Sequence, residues 1–143
     1  MQKMTSWTEE QLVRAWIQRY ATRPRILTGS SQDSEVENWA HVDGDTFWAF
    51  QVLDDLVARD PPAAWRLILQ ILELAGSDDE VLDNLAAGPL EDLLRRHGPK
   101  VISWVVSEAD TNPAFRNLLT GVDPNAASEL AWQRVERAII KSS

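Results

Sequence analysis

The chain has 143 residues, of which 44% are hydrophobic and 25% are charged. These proportions are typical of a folded globular protein, and the length predicts one domain over residues 1–143 with a single core. The absence of cysteine excludes a disulfide framework, a thiolate nucleophile and a cysteine-ligated zinc or iron–sulfur site.

Negative charge is concentrated in the middle of the chain. The net charge is −8, but residues 26–92 hold fifteen acidic residues against two basic ones, Arg59 and Arg66, a balance of −13. Such a segment repels nucleic-acid phosphates and anionic lipid headgroups, and it attracts basic protein surfaces. The alternative interpretation is that the charge serves only to keep the domain soluble.

Neither the N-terminus nor the most apolar segment indicates a membrane or secretory destination. Residues 1–10 lack the apolar run of a signal peptide. The stretch from Ala63 to Ala75 is interrupted by Arg66, Gln70 and Glu73 and is too short to span a bilayer. We therefore expect a cytoplasmic protein that does not bind membranes.

Prolines predict where several helices begin. Proline is favoured at the first helical position, and a preceding Asp or Asn can cap the free N–H groups of the first turn. Five prolines follow a residue suited to ending or capping a helix, in the pairs Asp60-Pro61, Gly88-Pro89, Gly98-Pro99, Asn112-Pro113 and Asp123-Pro124.

In the first half of the chain, apolar spacing predicts a helix through Trp16 with a capping box formed by Ser6 and Glu9. Residues 28–31 resemble a loop, and a short helix follows with Val36, Trp39 and Ala40. A clear helix is predicted from about Asp45 to Ala58. The next, Pro61 to Ala75, is apolar on most sides, which is typical of a central helix that ends at Gly76.

In the second half, Ser77 and Glu80 form a predicted capping box that opens another helix. Further helices are expected from Pro89 to His97, from Pro99, and from Pro113 to Leu119. The last, from about Pro124 to Ile140, is expected to place four apolar side chains on one side: Leu130, Ala131, Val135 and Ala138.

The predicted fold class is all-α, because no segment shows sustained two-residue alternation bounded by hairpin turns. Seven or eight short helices with short connections suggest stacked antiparallel helical hairpins, similar to a small HEAT-like α-solenoid. The helix starts are unevenly spaced, so an irregular bundle is the structural alternative.

Two histidines are the candidates for metal or acid–base chemistry. The segment from His41 to Asp45 has suitable residue types but matches no established zinc or EF-hand spacing. The simpler interpretation is that Asp43 or Asp45 caps the helix that follows. His97 follows Arg95 and Arg96 and is expected to complement the negative end of a helix dipole rather than to catalyse. No catalytic residue and no cofactor are predicted.

The seven tryptophans are the candidate binding aromatics. Trp16, Trp48, Trp65 and Trp104 lie in apolar stripes, so we expect them to fill the core. Trp7, Trp39 and Trp132 are less constrained by pattern, and we expect these three to be exposed, where tryptophan often contributes to interfaces.

Acidic residues form two clusters, one around the helix from Asp45 to Ala58 and one between Ser77 and Asp92. If neighbouring hairpins stack, the two clusters can share one solvent-facing surface that binds a basic protein. The predicted members of this acidic surface are Asp43, Asp45, Asp54, Asp55, Asp79, Asp83, Glu91 and Asp92.

Part of the chain resembles an uncharacterised family of small bacterial proteins, a domain of unknown function. The resemblance covers roughly residues 45–121 and rests on Leu53 to Val57 and on Asp60-Pro61 followed by Ala64-Trp65. It is strongest in Asp79 to Leu82 with Asn84 to Leu94, which includes the run LAAGPLEDLL, and it closes on His97-Gly98. It implies a bacterial or phage source and a helical fold. It implies no activity and no active-site residues.

Three functional hypotheses follow. The first is a non-enzymatic protein-binding module that presents an acidic face to a basic partner, as an immunity protein or a phage-type inhibitor would. The second is a small metal-dependent hydrolase that uses the segment from His41 to Asp45. The third is a structural homo-oligomer in which Trp7 or Trp132 packs against another copy.

Overall fold

The structure is a computed structural model that describes residues 7–21 and 32–141; for 32–45 and 141 the description covers the backbone alone. Every regular element among these residues is helical, which confirms the all-α class. The elements are α1 (Glu9–Tyr20), α2 (Gln32–Arg59), α3 (Pro61–Ala75), α4 (Asp79–Leu85), a π-helical turn (Ala86–Leu90), α5 (Glu91–Thr111), α6 (Pro113–Leu119), a 3-10 turn (Pro124–Ala126) and α7 (Glu129–Lys141).

Proline marks the start of α3 and of α6, as predicted. The side chain of Asp60 accepts a hydrogen bond from the N–H of Ala63 at 3.3 Å. The side chain of Asn112 accepts one from the N–H of Phe115 at 3.2 Å. Each carboxylate or amide oxygen thereby satisfies an N–H group that has no partner within its own helix.

Of the other three proline pairs, one also marks a helix start. His97 has a φ of −131° and a ψ of 26°, which are not helical, so α5 is two helical runs that meet at a kink, and Pro99 lies at the start of the second run, as predicted. Pro89 begins no helix, because the π-helical turn around it carries the chain from α4 directly into α5. Pro124 opens only the 3-10 turn, and α7 begins five residues later, after Ser128.

Two predicted capping boxes are wrong in position. α1 is capped by Thr8, which exchanges hydrogen bonds with Gln11. Ser6, the predicted cap, lies outside the described residues. α4 is capped by Asp78 rather than by Ser77. In both regions the helix begins later than the sequence pattern suggested, so the next suitable oxygen takes the capping position.

α2 is longer than predicted, with 28 residues from Gln32 to Arg59. Asp43 and Asp45 therefore lie inside a helix and not at its positive end, so the prediction that either one caps it is wrong. The predicted loop at residues 28–31 lies outside the described residues. The short helix predicted around Val36, Trp39 and Ala40 and the helix predicted from about Asp45 are thus one continuous helix.

One cluster of buried apolar side chains includes residues of all seven α-helices. α1 packs mainly on α2, and α5 mainly on α7. Helices far apart in the chain also touch, since α1 lies against α3 and α4 and α2 lies against α5. In a solenoid each repeat contacts only its neighbours. These contacts favour the irregular bundle over the stacked-hairpin arrangement.

A polar contact joins α1 to α3 at the surface. The carboxylate of Glu9 accepts hydrogen bonds from Arg66 Nη2 at 2.7 Å and from Gln70 Nε2 at 2.8 Å. The hydrogen bond from Arg66, with a smaller contribution from Gln70, lowers the pKa of Glu9 below its ordinary value. Glu9 also lies in the first turn of α1, where negative charge is favoured.

His97 joins the kink of α5 to the end of α2. Its Nε2 lies 2.8 Å from the carbonyl oxygen of Val57, and because a carbonyl can only accept, this nitrogen carries the hydrogen. Within a continuing helix the donor to Val57 would be residue 61, but Pro61 has no N–H. His97 therefore donates a hydrogen bond to the end of α2, whereas the sequence pattern assigned it to the end of its own helix.

Candidate functional site

The solvent-facing side of α2 is the candidate site. Ala49, Leu53 and Val57 are buried in the core. Positions 47, 50, 51, 54, 55 and 58 are exposed, and their spacing of three and four places them on one side of the helix. We define the α2 face as the four side chains on this side that carry an aromatic ring or a carboxylate: Phe47, Phe50, Asp54 and Asp55.

The aromatic half of the α2 face is a stacked pair of rings open to solvent. The ring centroids of Phe47 and Phe50 lie 5.6 Å apart with an interplanar angle of 24°. Phe47 is 42% exposed and Phe50 is 37% exposed. The guanidinium carbon of Arg19 lies 5.0 Å from the Phe47 centroid and 5.7 Å from that of Phe50, which favours a fixed position for both rings. The pair is thus an ordered apolar surface.

The acidic half of the α2 face begins one helical turn after Phe50. Asp54 and Asp55 are both exposed. Asp55 pairs with Arg59 at 3.0 Å, but both side chains are more than half exposed, so this pair is weak and easily exchanged for another cation. Asp54 forms no salt bridge with any residue whose side chain is described. The α2 face therefore presents one open and one weakly paired carboxylate.

The second predicted acidic cluster divides into two parts. Asp79 and Asp83 are exposed on α4. Glu91 and Asp92 instead share Arg95, with N–O distances of 3.2 and 3.6 Å. Two of the four predicted carboxylates in this region are therefore paired with a single arginine of the same protein, which compensates one of their two charges.

Glu91 has a structural role. Its second carboxylate oxygen accepts a hydrogen bond from the N–H of Asp123 at 3.0 Å, and its side chain is only 14% exposed. This contact ties the start of α5 to the 3-10 turn, 32 residues further along the chain. Since both oxygens are occupied, we do not retain Glu91 in the binding site.

The prediction of exposed tryptophans is wrong for Trp132, which is 8% exposed. The buried side of α7 comprises Trp132, Val135 and Ala138, which are spaced three residues apart, and Leu130 faces solvent instead. Trp7 is half-buried, with its ring centroid 6.3 Å from that of Trp48.

The other tryptophans whose side chains the structure describes all contact the core. Trp16 is buried, as predicted. Trp48, Trp65 and Trp104 are half-buried against the core cluster. The side chains of three predicted site residues, Trp39, Asp43 and Asp45, lie outside the described residues.

Sequence reasoning found the carboxylates of the α2 face but missed its aromatic half. The signal was available, because Phe47, Phe50 and Asp54 are spaced three and four residues apart and so share a helical side. The prediction followed the stripe of Trp48 and Val52, which faces the core.

Neither a metal site nor a membrane-spanning helix occurs in the part of the chain that the structure describes. There, no group of three or more His, Asp or Glu side chains could hold a metal ion. The segment from His41 to Asp45 lies outside the side chains described. No described helix combines the length and the apolar character needed to cross a bilayer.

Comparison with known proteins gives a family. One family model, described as Family of unknown function (DUF6869), matches residues 35–143. The chain belongs to this family. The match extends beyond the predicted 45–121 on both sides, and it includes the whole α2 face. No curated protein and no solved structure matched this DUF6869 chain.

Proposed function

We propose that this DUF6869 protein is a non-enzymatic binding module whose α2 face docks on a basic surface of a protein partner. The observation that carries the proposal is the continuity of two exposed, stacked phenylalanines with two exposed aspartates on one side of a helix. Aromatic side chains supply much of the energy of an interface core, and rim charges supply complementarity and speed of association.

The charge balance supports a basic partner. The net charge is −8, so the long-range field repels other acidic proteins and steers basic ones towards the acidic middle of the chain. An inhibitor that covers the nucleic-acid-binding surface of another protein needs this combination of charge and compactness. We propose an immunity or phage-type inhibitor as the class, acting in a reducing cytoplasm, with which the absence of cysteine is compatible.

Affinity capture from the native host tests this function. Wild-type protein and the double variant Asp54→Lys/Asp55→Lys serve as baits, and bound proteins are identified by mass spectrometry. The matched control is Asp110→Lys/Glu136→Lys, which makes the same change in net charge at exposed positions on α5 and α7. We expect one basic protein to be retained by wild type and control and lost from the α2 variant.

A second variant separates docking from simple charge attraction. Phe47→Ser/Phe50→Ser leaves the net charge unchanged but removes the apolar half of the α2 face. We expect this variant to bind the captured partner at least about tenfold more weakly, since interface aromatics commonly contribute more than about 1 kcal/mol each. Retention of the partner by both α2 variants, or capture of a partner with an acidic surface, contradicts the proposed function.

A further inference from the structure

A groove lined by positively charged side chains, in contrast to the acidic α2 face, lies between α5 and α7. Its volume is about 500 Å³, which is within the range of pockets that bind small ligands or side chains. The apolar floor includes Leu94 and Ile102, which are buried, and Ala131, which is half-buried. The rim carries Leu130, Arg96 and Arg134. We call this feature the α5–α7 groove.

Leu130 gives the groove an apolar rim that folding leaves uncovered. It is 76% exposed, although Trp132 and Val135 of the same helix are buried. Its neighbours along the exposed side of α7 are Arg134 and Arg137, at spacings of four and seven residues. α7 therefore places Leu130 and Arg134 at the groove, and Arg137 lies further along the same side of the helix.

The charged side chains that line the groove are all arginines. Arg95 is occupied by Glu91 and Asp92. Arg96 and Arg134 are exposed and form no salt bridge with any residue whose side chain is described. Two guanidinium groups thus remain uncompensated at the edge of an apolar groove, in a protein whose net charge is −8.

We propose that the α5–α7 groove binds an acidic peptide segment of a partner protein that also carries a leucine-like side chain. Carboxylates of the peptide pair with Arg96 and Arg134, since guanidinium groups bind carboxylates through two parallel hydrogen bonds. The apolar side chain packs between Leu130 and the floor. This interaction uses a different surface from the α2 face. It selects a negatively charged partner segment, whereas the α2 face selects a positively charged one.

A peptide fits the groove better than a nucleic acid does. A long polyanion bound at the α5–α7 groove also meets the field of the acidic residues in segment 26–92, whereas a short peptide with a few carboxylates meets much less of it. Phosphate binding also makes no use of the apolar floor or of Leu130. The observations therefore favour a ligand with both carboxylate and aliphatic groups.

The test is a fluorescence-anisotropy titration of the purified full-length protein with short labelled peptides. One peptide contains Leu, Asp and Glu; a second has Asn and Gln in place of the acids; a third has Ser in place of Leu. A labelled single-stranded oligonucleotide is the fourth probe. We expect saturable binding of the first peptide alone, with an affinity that decreases as salt increases.

Variants locate the binding site. Arg96→Glu/Arg134→Glu and, separately, Leu130→Ser are each expected to weaken binding of the acidic peptide about tenfold or more. Arg14→Glu/Arg59→Glu makes the same charge change at exposed positions on α1 and α2, and we expect it to bind as wild type does. All substituted side chains are exposed, and circular dichroism checks that each variant is folded.

Four results overturn the proposal. They are the absence of binding to the acidic peptide, equal loss in the control variant, equal binding of the serine peptide, and tighter binding of the oligonucleotide than of the peptide. None of these results bears on the α2 face. Loss of the captured basic partner from the α2 variants likewise does not affect the α5–α7 groove.

Discussion

The hydrogen bond from His97 to Val57 gives the sharpest test of how the fold is held together. The carbonyl of Val57 lies in the last turn of α2, and the residue four positions later, Pro61, has no N–H to offer it. His97 Nε2 supplies the missing donor at 2.8 Å. Replacing His97 with alanine leaves that carbonyl without this partner.

The expected loss of stability in His97→Ala follows from the burial of the hydrogen bond. Val57 is 1% exposed and the hydrogen bond is partly buried, so water reaches the carbonyl poorly. An unsatisfied buried acceptor costs about 1–3 kcal/mol, and we expect about 2 kcal/mol for His97→Ala. In a chain of this length that corresponds to a melting temperature lowered by roughly 6–8 °C.

The assay is urea and thermal unfolding followed by circular dichroism. His97→Gln is the informative companion, because its amide nitrogen reaches close to the position of Nε2, whereas that of His97→Asn falls short. We expect His97→Gln to recover more than half of the lost stability and His97→Asn to behave as His97→Ala does. Equal stability of wild type and His97→Ala, or of the Gln and Asn variants, refutes the assigned role of the hydrogen bond.

Three further predictions concern stability measured by urea unfolding. Glu9→Gln is destabilising at pH 7. Because folding lowers the pKa of Glu9, the difference in the free energy of unfolding between wild type and variant decreases as the pH falls below about 4.3. A difference that does not change with pH contradicts this prediction. Trp132→Ala costs about 3–5 kcal/mol because the side chain is buried in the core, whereas loss of an exposed ring would cost almost nothing. Gly76→Ala costs about 1–3 kcal/mol because φ is +65° at this position, which strains the backbone of any residue with a side chain, although no atom would clash with the added methyl group. Unchanged stability of this variant contradicts the predicted strain.

Helix starts could be predicted from the sequence where one residue type determines the local backbone geometry. Pro61 and Pro113 begin helices because proline fits the first helical position and their capping neighbours are adjacent in sequence. The same rule fails at Pro89, where Ala86 and Leu90 are buried and the chain continues through a π-helical turn. Tertiary packing determines the conformation at Pro89, and the local sequence pattern carries no information about that packing.

The candidate site was predictable in part. The pairing of Glu91 with Arg95 could be read from a spacing of four residues, which is the usual spacing of helical ion pairs. The hydrogen bond from the N–H of Asp123 to Glu91 could not, because it depends on how distant elements pack. Leu130 was placed on the wrong side because it lies five residues before Val135, well round the helix from it, whereas Trp132, Val135 and Ala138 follow one another at three-residue spacing on the buried side.

The central claim is that a partner covers the α2 face. Hydroxyl-radical footprinting of the protein alone and in complex with its captured partner tests this most directly, because exposed aromatic side chains are oxidised readily. Phe47 and Phe50 report on the α2 face, and Leu74 of α3 and Ile140 of α7, which are exposed outside both proposed sites, are internal controls. We predict that both phenylalanines are protected in the complex while Leu74 and Ile140 react as in the free protein. Unchanged oxidation of Phe47 and Phe50 in the complex contradicts the account.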